Sequence, residues 1–232
     1  MTSRDAKITA FHTQEIESFA QAGDWLSGEE RTAIAQQARK ARVNAGQQVE
    51  CQAGPGDITD LLPTNTKNLV DLVATAPAEL TREHLAECRG SGMHDHEYAE
   101  TVGVVSRLVN VDVFAHACGR APEPLVAPVD GEPDYPDTHA AQDEGGWLKS
   151  IPGGESGGEL GMRIYGGAMM PFIYRALSLA PQEVERVIEG GNQQYLELQN
   201  FFDFSYSHHA GLNRAQIEAL AARVSAYNEC FY

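Results

Sequence analysis

Through the first half of the chain, apolar residues recur at helical spacing, in runs separated by short breaks. WLSGEERTAIAQQARKARV opens with a capping box, Ser27 with Glu30 three residues on, and carries apolar Ile34 and Val43. After the break QAGPGD, Leu69, Leu72 and Val73 mark a second helix. Pro77 stops it, because proline has no N–H to continue the helical ladder. LTREHLAECRGSGM predicts a short helix closed by Gly90 and Gly92. The strongest pattern runs from Asp95 to Gly119. Tyr98, Val102, Val105, Val109 and Val113 share a stripe, while Val104, Leu108, Val111 and Phe114 add apolar cover elsewhere. A helix apolar on several sides belongs in the centre of a bundle or at a subunit interface.

The character changes from Ala121 to about Gly161, where Pro, Gly and acidic residues dominate. That composition predicts an extended linker or a loop draped over the surface. It divides the chain into a helical domain over 1–120, a linker over 121–161 and a second helical domain over 162–232. In the second domain RALSLAPQEVERVIEGG predicts a helix with Pro181 in its first turn and Gly190 and Gly191 at its end. QQYLELQNFFDFSYSHHAG is aromatic-rich and ambiguous. LNRAQIEALAARVSAYN predicts a final helix capped by Asn213 with Gln216 three residues on. The segments beginning at Leu26 and Leu212 start alike, which suggests an internal repeat.

Composition narrows the partners. Thirty-three acidic against 17 basic side chains give a formal charge of -16, which repels nucleic acid and anionic membrane surfaces. The opening lacks an unbroken apolar run and no stretch approaches the length of a membrane span, so a cytoplasmic protein is expected. Cys51, Cys88, Cys118 and Cys230 are widely and irregularly spaced without a C-x-x-C pair, which argues against a disulfide framework or a cysteine zinc site. The first three are expected to be packing residues.

NRAQIEALAARVSAYNECFY resembles the approach to the active site in the alkylhydroperoxidase D-like and carboxymuconolactone decarboxylase superfamily. There a glutamate, eleven residues, and a C-x-x-C followed by histidine carry the chemistry. Glu218 and Cys230 have that glutamate-to-cysteine spacing. The segment from Leu80 to Gly119 resembles the part of such a domain that packs under the site, and the order of segments is similar to two-repeat members. The resemblance implies an all-α fold, a degenerate first repeat and an incomplete second one. Aligning the capping boxes puts Thr32 at the first repeat's glutamate position and Asn44 and Gln47 at its cysteine positions. In the second repeat the next cysteine and the histidine would fall after Tyr232.

The resemblance further implies a thiol-dependent peroxidase-like oxidoreductase with Cys230 and Glu218 as catalytic residues and no cofactor. It implies a peroxide or lactone-type small-molecule substrate, a dithiol reductant protein and a homo-oligomer. An ordinary thiol is mostly protonated at neutral pH, so a fast thiolate needs a helix N-terminus, a cation or a base nearby. On one straight helix Glu218 and Cys230 would stand roughly 18 Å and about 120° apart, so the chain must turn near Tyr227-Asn228-Glu229 for them to act together.

Two other readings stay open. One is a non-catalytic helical oligomer or binding module that keeps the fold. The other is a metal-binding protein using the His94/His96 region, where His96 and Glu100 are four apart on one helix face and His208 and His209 add imidazoles. No complete metal signature accompanies them. His116 reads as a favourable cation at a helix C-terminus or as a packed core histidine.

Overall fold

A computed structural model describes residues 3–48, 54–166, 170–209 and 211–230; Cys51 lies outside the described residues. The fold is all-α. Among the described residues nine α-helices follow one another: α1 Ser3–Ser18, α2 Gly28–Asn44, α3 Thr64–Thr75, α4 Arg82–Gly90, α5 Asp95–Ala117, α6 Gly158–Tyr165, α7 Phe172–Arg175, α8 Pro181–Gln194 and α9 Arg214–Tyr227. Among the described residues there is no sheet, only one isolated antiparallel bridge between Gln142 and Ser150. No helix among them is long and apolar enough to cross a membrane.

The helix starts follow the local chemistry of the sequence. Ser27 accepts from the Glu30 N–H while the Glu30 carboxylate accepts from the Ser27 N–H, so two orphan donors of α2 are satisfied together. Asn213 and Gln216 do the same for α9. The glycines expected to end α4 and α5 do so: Gly92 and Gly119 follow those helices with φ of 97° and 69°, values open to glycine.

Three findings differ from the expected pattern. Helix α1, which the expected pattern does not include, buries Phe11 and Ile16, and Phe19 just after its end is buried as well. On α5 the buried face is Tyr98, Ala99, Val104, Val105, Leu108 and Val111, while Val113 of the expected stripe is exposed. The glycine pair of α8 lies inside the helix, which continues to Gln194, because α1 and α7 come close there. A side chain begun at Gly190 would meet the Phe11 ring at 3.4 Å, and one at Gly191 would meet the Tyr174 hydroxyl at 3.7 Å.

Helix α2 is the hub of the first core: Ala33, Ile34, Ala35 and Ala38 are fully or almost fully buried against α3 and α5. Small side chains let those backbones approach, and apolar burial at roughly 25 cal/mol per Å² supplies the drive. Arg39 of α2 and Asp112 of α5 add a buried two-point ion pair at 2.9 and 2.8 Å. The acidic Pro/Gly-rich segment lies as an extended strap over the α1–α2 corner. Its Val129, Asp134 and Tyr135 N–H groups donate to the carbonyls of Ala20, Gly23 and Asp24. Helix α8 packs on α1, α5, α6 and α7. Helix α9 sits at the periphery with only Arg214 and Ile217 buried, so the two segments that begin alike end in opposite environments.

Candidate functional site

Glu218 stands in the second turn of α9. It accepts from Arg214 Nε at 2.5 Å, one helical turn earlier, and from the Tyr195 hydroxyl at 2.8 Å. Arg214 is itself fixed, donating to the carbonyls of Phe201 at 2.9 Å and Asp203 at 3.2 Å. Partial burial pushes Glu218 up, but the hydrogen bonds from Arg214 and Tyr195 outweigh it and hold the carboxyl below its usual range. Burial and the Glu218 carboxylate together push Tyr195 up to about 12, so the phenol stays protonated and donating.

Cys230 is an exposed free thiol beyond the other end of α9. Asn228 caps the helix, Glu229 adopts a left-handed backbone with φ of 51°, and the Cys230 N–H reaches back to the Ser225 carbonyl at 2.9 Å. This is a Schellman closure, completed by Glu229 N–H to Ala226 O at 3.3 Å. The chain therefore turns at the residues expected, but Ser225 lies seven residues from Glu218, roughly 10 Å along the axis. The structure does not bring Glu218 and Cys230 into contact.

The positions that the capping-box alignment pairs with Glu218 and Cys230 have ordinary structural roles. The Thr32 hydroxyl is buried and donates to the Phe19 carbonyl at 3.3 Å, Asn44 ends α2, and the Gln47 amide donates to the Thr75 carbonyl at 2.9 Å. Of the other thiols, Cys88 is packed in the core and burial pushes it up. Cys118, expected to pack, is exposed, because it caps α5 after its last buried turn.

The histidines are held by other partners. His94 caps α5, His96 bonds Thr138 Oγ1 at 2.8 Å and stacks on Trp25 at 4.3 Å, and His208 pairs with Glu197 at 2.8 Å. Glu100 turns into the core. His116 is exposed in the last turn of α5 and is not packed in the core. Among the described residues no three His, Cys, Asp or Glu side chains converge as a metal site needs.

What sequence reading missed is a buried ion network joining α1, α2, α5 and α8. Arg107 on α5 donates to Glu183 on α8 through Nε at 2.7 Å and Nη2 at 3.1 Å, and to Glu15 on α1 through Nη1. Arg31 on α2 donates to Glu183 at 2.9 Å and to Glu100. Glu100 also accepts from the Trp25 and Leu26 N–H groups at 2.6 and 3.2 Å. Burial opposes the charge on Glu183 and on Arg107, yet their mutual attraction, with Arg31 and Glu15, keeps Glu183 low and Arg107 high. Burial pushes Glu100 up. Asp24, which accepts from the Gln182 N–H at the start of α8, is pushed up to about 7 by burial and by nearby Glu100 and Glu183.

A cavity of about 710 Å³ opens beside this network, between α1, α5, α7 and α8, and Tyr195 lines it. Tyr195 thus connects the cavity wall to Glu218. A second cavity of about 830 Å³ shares Ser106 and Asn110 of α5 with the first and includes Gln47 and Asn228. Comparison of the chain with known protein families, with characterised proteins and with solved structures finds no match.

Proposed function

We propose that the chain is a thiol-dependent peroxidase-like oxidoreductase in which Cys230 is the redox thiol and Glu218 the proton-accepting carboxylate. The observation that carries this reading is the Tyr195–Glu218–Arg214 set, a carboxylate kept ionised and bonded to Tyr195, which lines a cavity of small-molecule size. Its helix leads to an accessible thiol. In the reaction the Cys230 thiolate attacks the distal oxygen of a peroxide, the O–O bond breaks, and sulfur gains OH as sulfenic acid. The departing alkoxide takes a proton from solvent. A dithiol then reduces the sulfenic acid to thiol and water and is itself oxidised to disulfide. Glu218 relays the thiol proton through intervening solvent toward the departing alkoxide and ends ionised as it began.

The test is peroxide consumption by the purified chain with dithiothreitol as reductant. Turnover that disappears in Cys230→Ala and falls in Glu218→Gln is expected. A rate unchanged by Cys230→Ala overturns the reading.

A non-catalytic helical binding module that assembles with itself is the second reading. The observation favouring it is the separation of Glu218 and Cys230 at opposite ends of α9, whose Leu220, Val224 and Tyr227 are exposed. It predicts no peroxide turnover and a concentration-dependent oligomer in sedimentation.

A further inference from the structure

We propose that the cavity between α1, α5, α7 and α8 binds an amphipathic monocarboxylate, a long-chain alkyl or aryl acid, with its carboxylate on Arg186 and its apolar body deeper in the cavity. This goes beyond the thiol chemistry, since such binding uses neither Cys230 nor Glu218.

The cavity, at about 710 Å³, has the size that encloses a small organic molecule. Phe11, Ile173, Tyr174, Val187 and Phe201 give it an apolar lining, and Gly190 and Gly191 leave one wall without side chains. The polar groups are few and sided. The Arg186 side chain is 40% exposed, and its one polar contact among the described residues is a long one, Nη1 to Glu15 at 3.4 Å. The rest of its N–H fork is available to a ligand, in a geometry that matches a carboxylate. Ser106 and Asn110 flank Arg107 on α5 and add a hydroxyl and an amide.

Charge agrees with this choice. Of the ionic groups on the wall, Arg107 and Arg186 are positive and Glu15 is negative, and with Glu183 behind Arg107 the cluster is neutral on a chain of formal charge -16. Glu15 is engaged by both arginines, and Glu183 faces Arg107 from behind. The wall therefore offers hydrogen-bond donors and no carboxylate turned to a ligand, which disfavours amines. An alkyl chain contributes about 0.8 kcal/mol for each methylene taken out of water.

The test is titration calorimetry of the full chain with laurate and with dodecanol. Laurate binding tighter than dodecanol is expected, weakened about tenfold by Arg186→Ala, as loss of a charge-assisted pair implies, and largely kept by Arg186→Lys. Gly191→Leu, which adds a side chain to the wall where the first carbon has room, should abolish binding of both. Cys230→Ala should leave laurate affinity unchanged, which separates this inference from the peroxidase reading. Absence of laurate binding, equal affinity for dodecanol, or laurate affinity unmoved by Arg186→Ala would each overturn it.

Discussion

Gly103 of α5 and Glu183 of α8 occupy one space: a side chain begun at Gly103 would lie 2.6 Å from Glu183 Cγ and 2.7 Å from its Oε2. Gly103→Ala is therefore expected to cost roughly 1–3 kcal/mol through forced displacement of a buried, ion-paired side chain. Gly191→Ala, inside α8 with ordinary room around it, should instead stabilise by about 0.5–1 kcal/mol through helix propensity. Urea unfolding of the two variants checks the opposite signs; equal effects would contradict the packing described.

Arg107 is the main cation of two buried carboxylates. Arg107→Leu should destabilise by about 3–5 kcal/mol, because Glu183 and Glu15 stay buried without it. Glu183 is held below its ordinary pKa, so in the native protein it contributes stability above the unfolded value that is lost as pH falls. In the variant that favourable shift goes, and the deficit relative to the native protein should shrink toward acid pH. Denaturation midpoints at pH 7 and pH 4 measure it.

Asp24 shifts the other way. Its pKa rises from 3.8 to about 7 on folding, so between those values the folded state binds more protons than the unfolded one. Stability from this group is fully present below pH 3.8 and lost as pH rises to about 7. Asp24→Asn keeps an oxygen for the Gln182 N–H and removes the titration. Its melting temperature should exceed that of the native chain by more at pH 8 than at pH 5. His12 and His96, whose pKa values burial lowers, act in the opposite sense in both proteins and cancel in the difference.

Thiol reactivity should divide the cysteines. In a Cys51→Ser background, Cys118 and Cys230 are exposed and should react promptly with Ellman's reagent, whereas Cys88 should react only on unfolding. Burial both hides its sulfur and raises its pKa. A Cys88→Ser variant with the same fast amplitude checks the assignment.

The helix starts were legible because their causes are local: Ser27 with Glu30 and Asn213 with Gln216 satisfy their own helix ends within three residues. The ion network was not, since Arg31 and Glu183 stand 152 residues apart and each looks like an ordinary helix charge. A trace was present in α5, where Gly103 stands among Val102, Val104 and Val105, and Arg107 beside Leu108, for which the stripe of valines offers no reason. The candidate site shows the same limit. Spacing picked out Glu218 and Cys230, and it also encodes Arg214, the partner of Glu218 one helical turn earlier, but Tyr195 reaches that carboxylate from 23 residues away, a contact that spacing does not encode.

The network also sets an order of events during synthesis. Glu15 leaves the ribosome long before Arg186, since their contact spans 171 residues of chain. Until α8 emerges, Arg107 lacks both of its bonds to Glu183 and Arg31 lacks one, so the first helices cannot close around charges still without their partners. Completion of the core is thereby postponed until α8 has been made, and a nascent chain halted before Pro181 is expected to remain a target for chaperones and proteases.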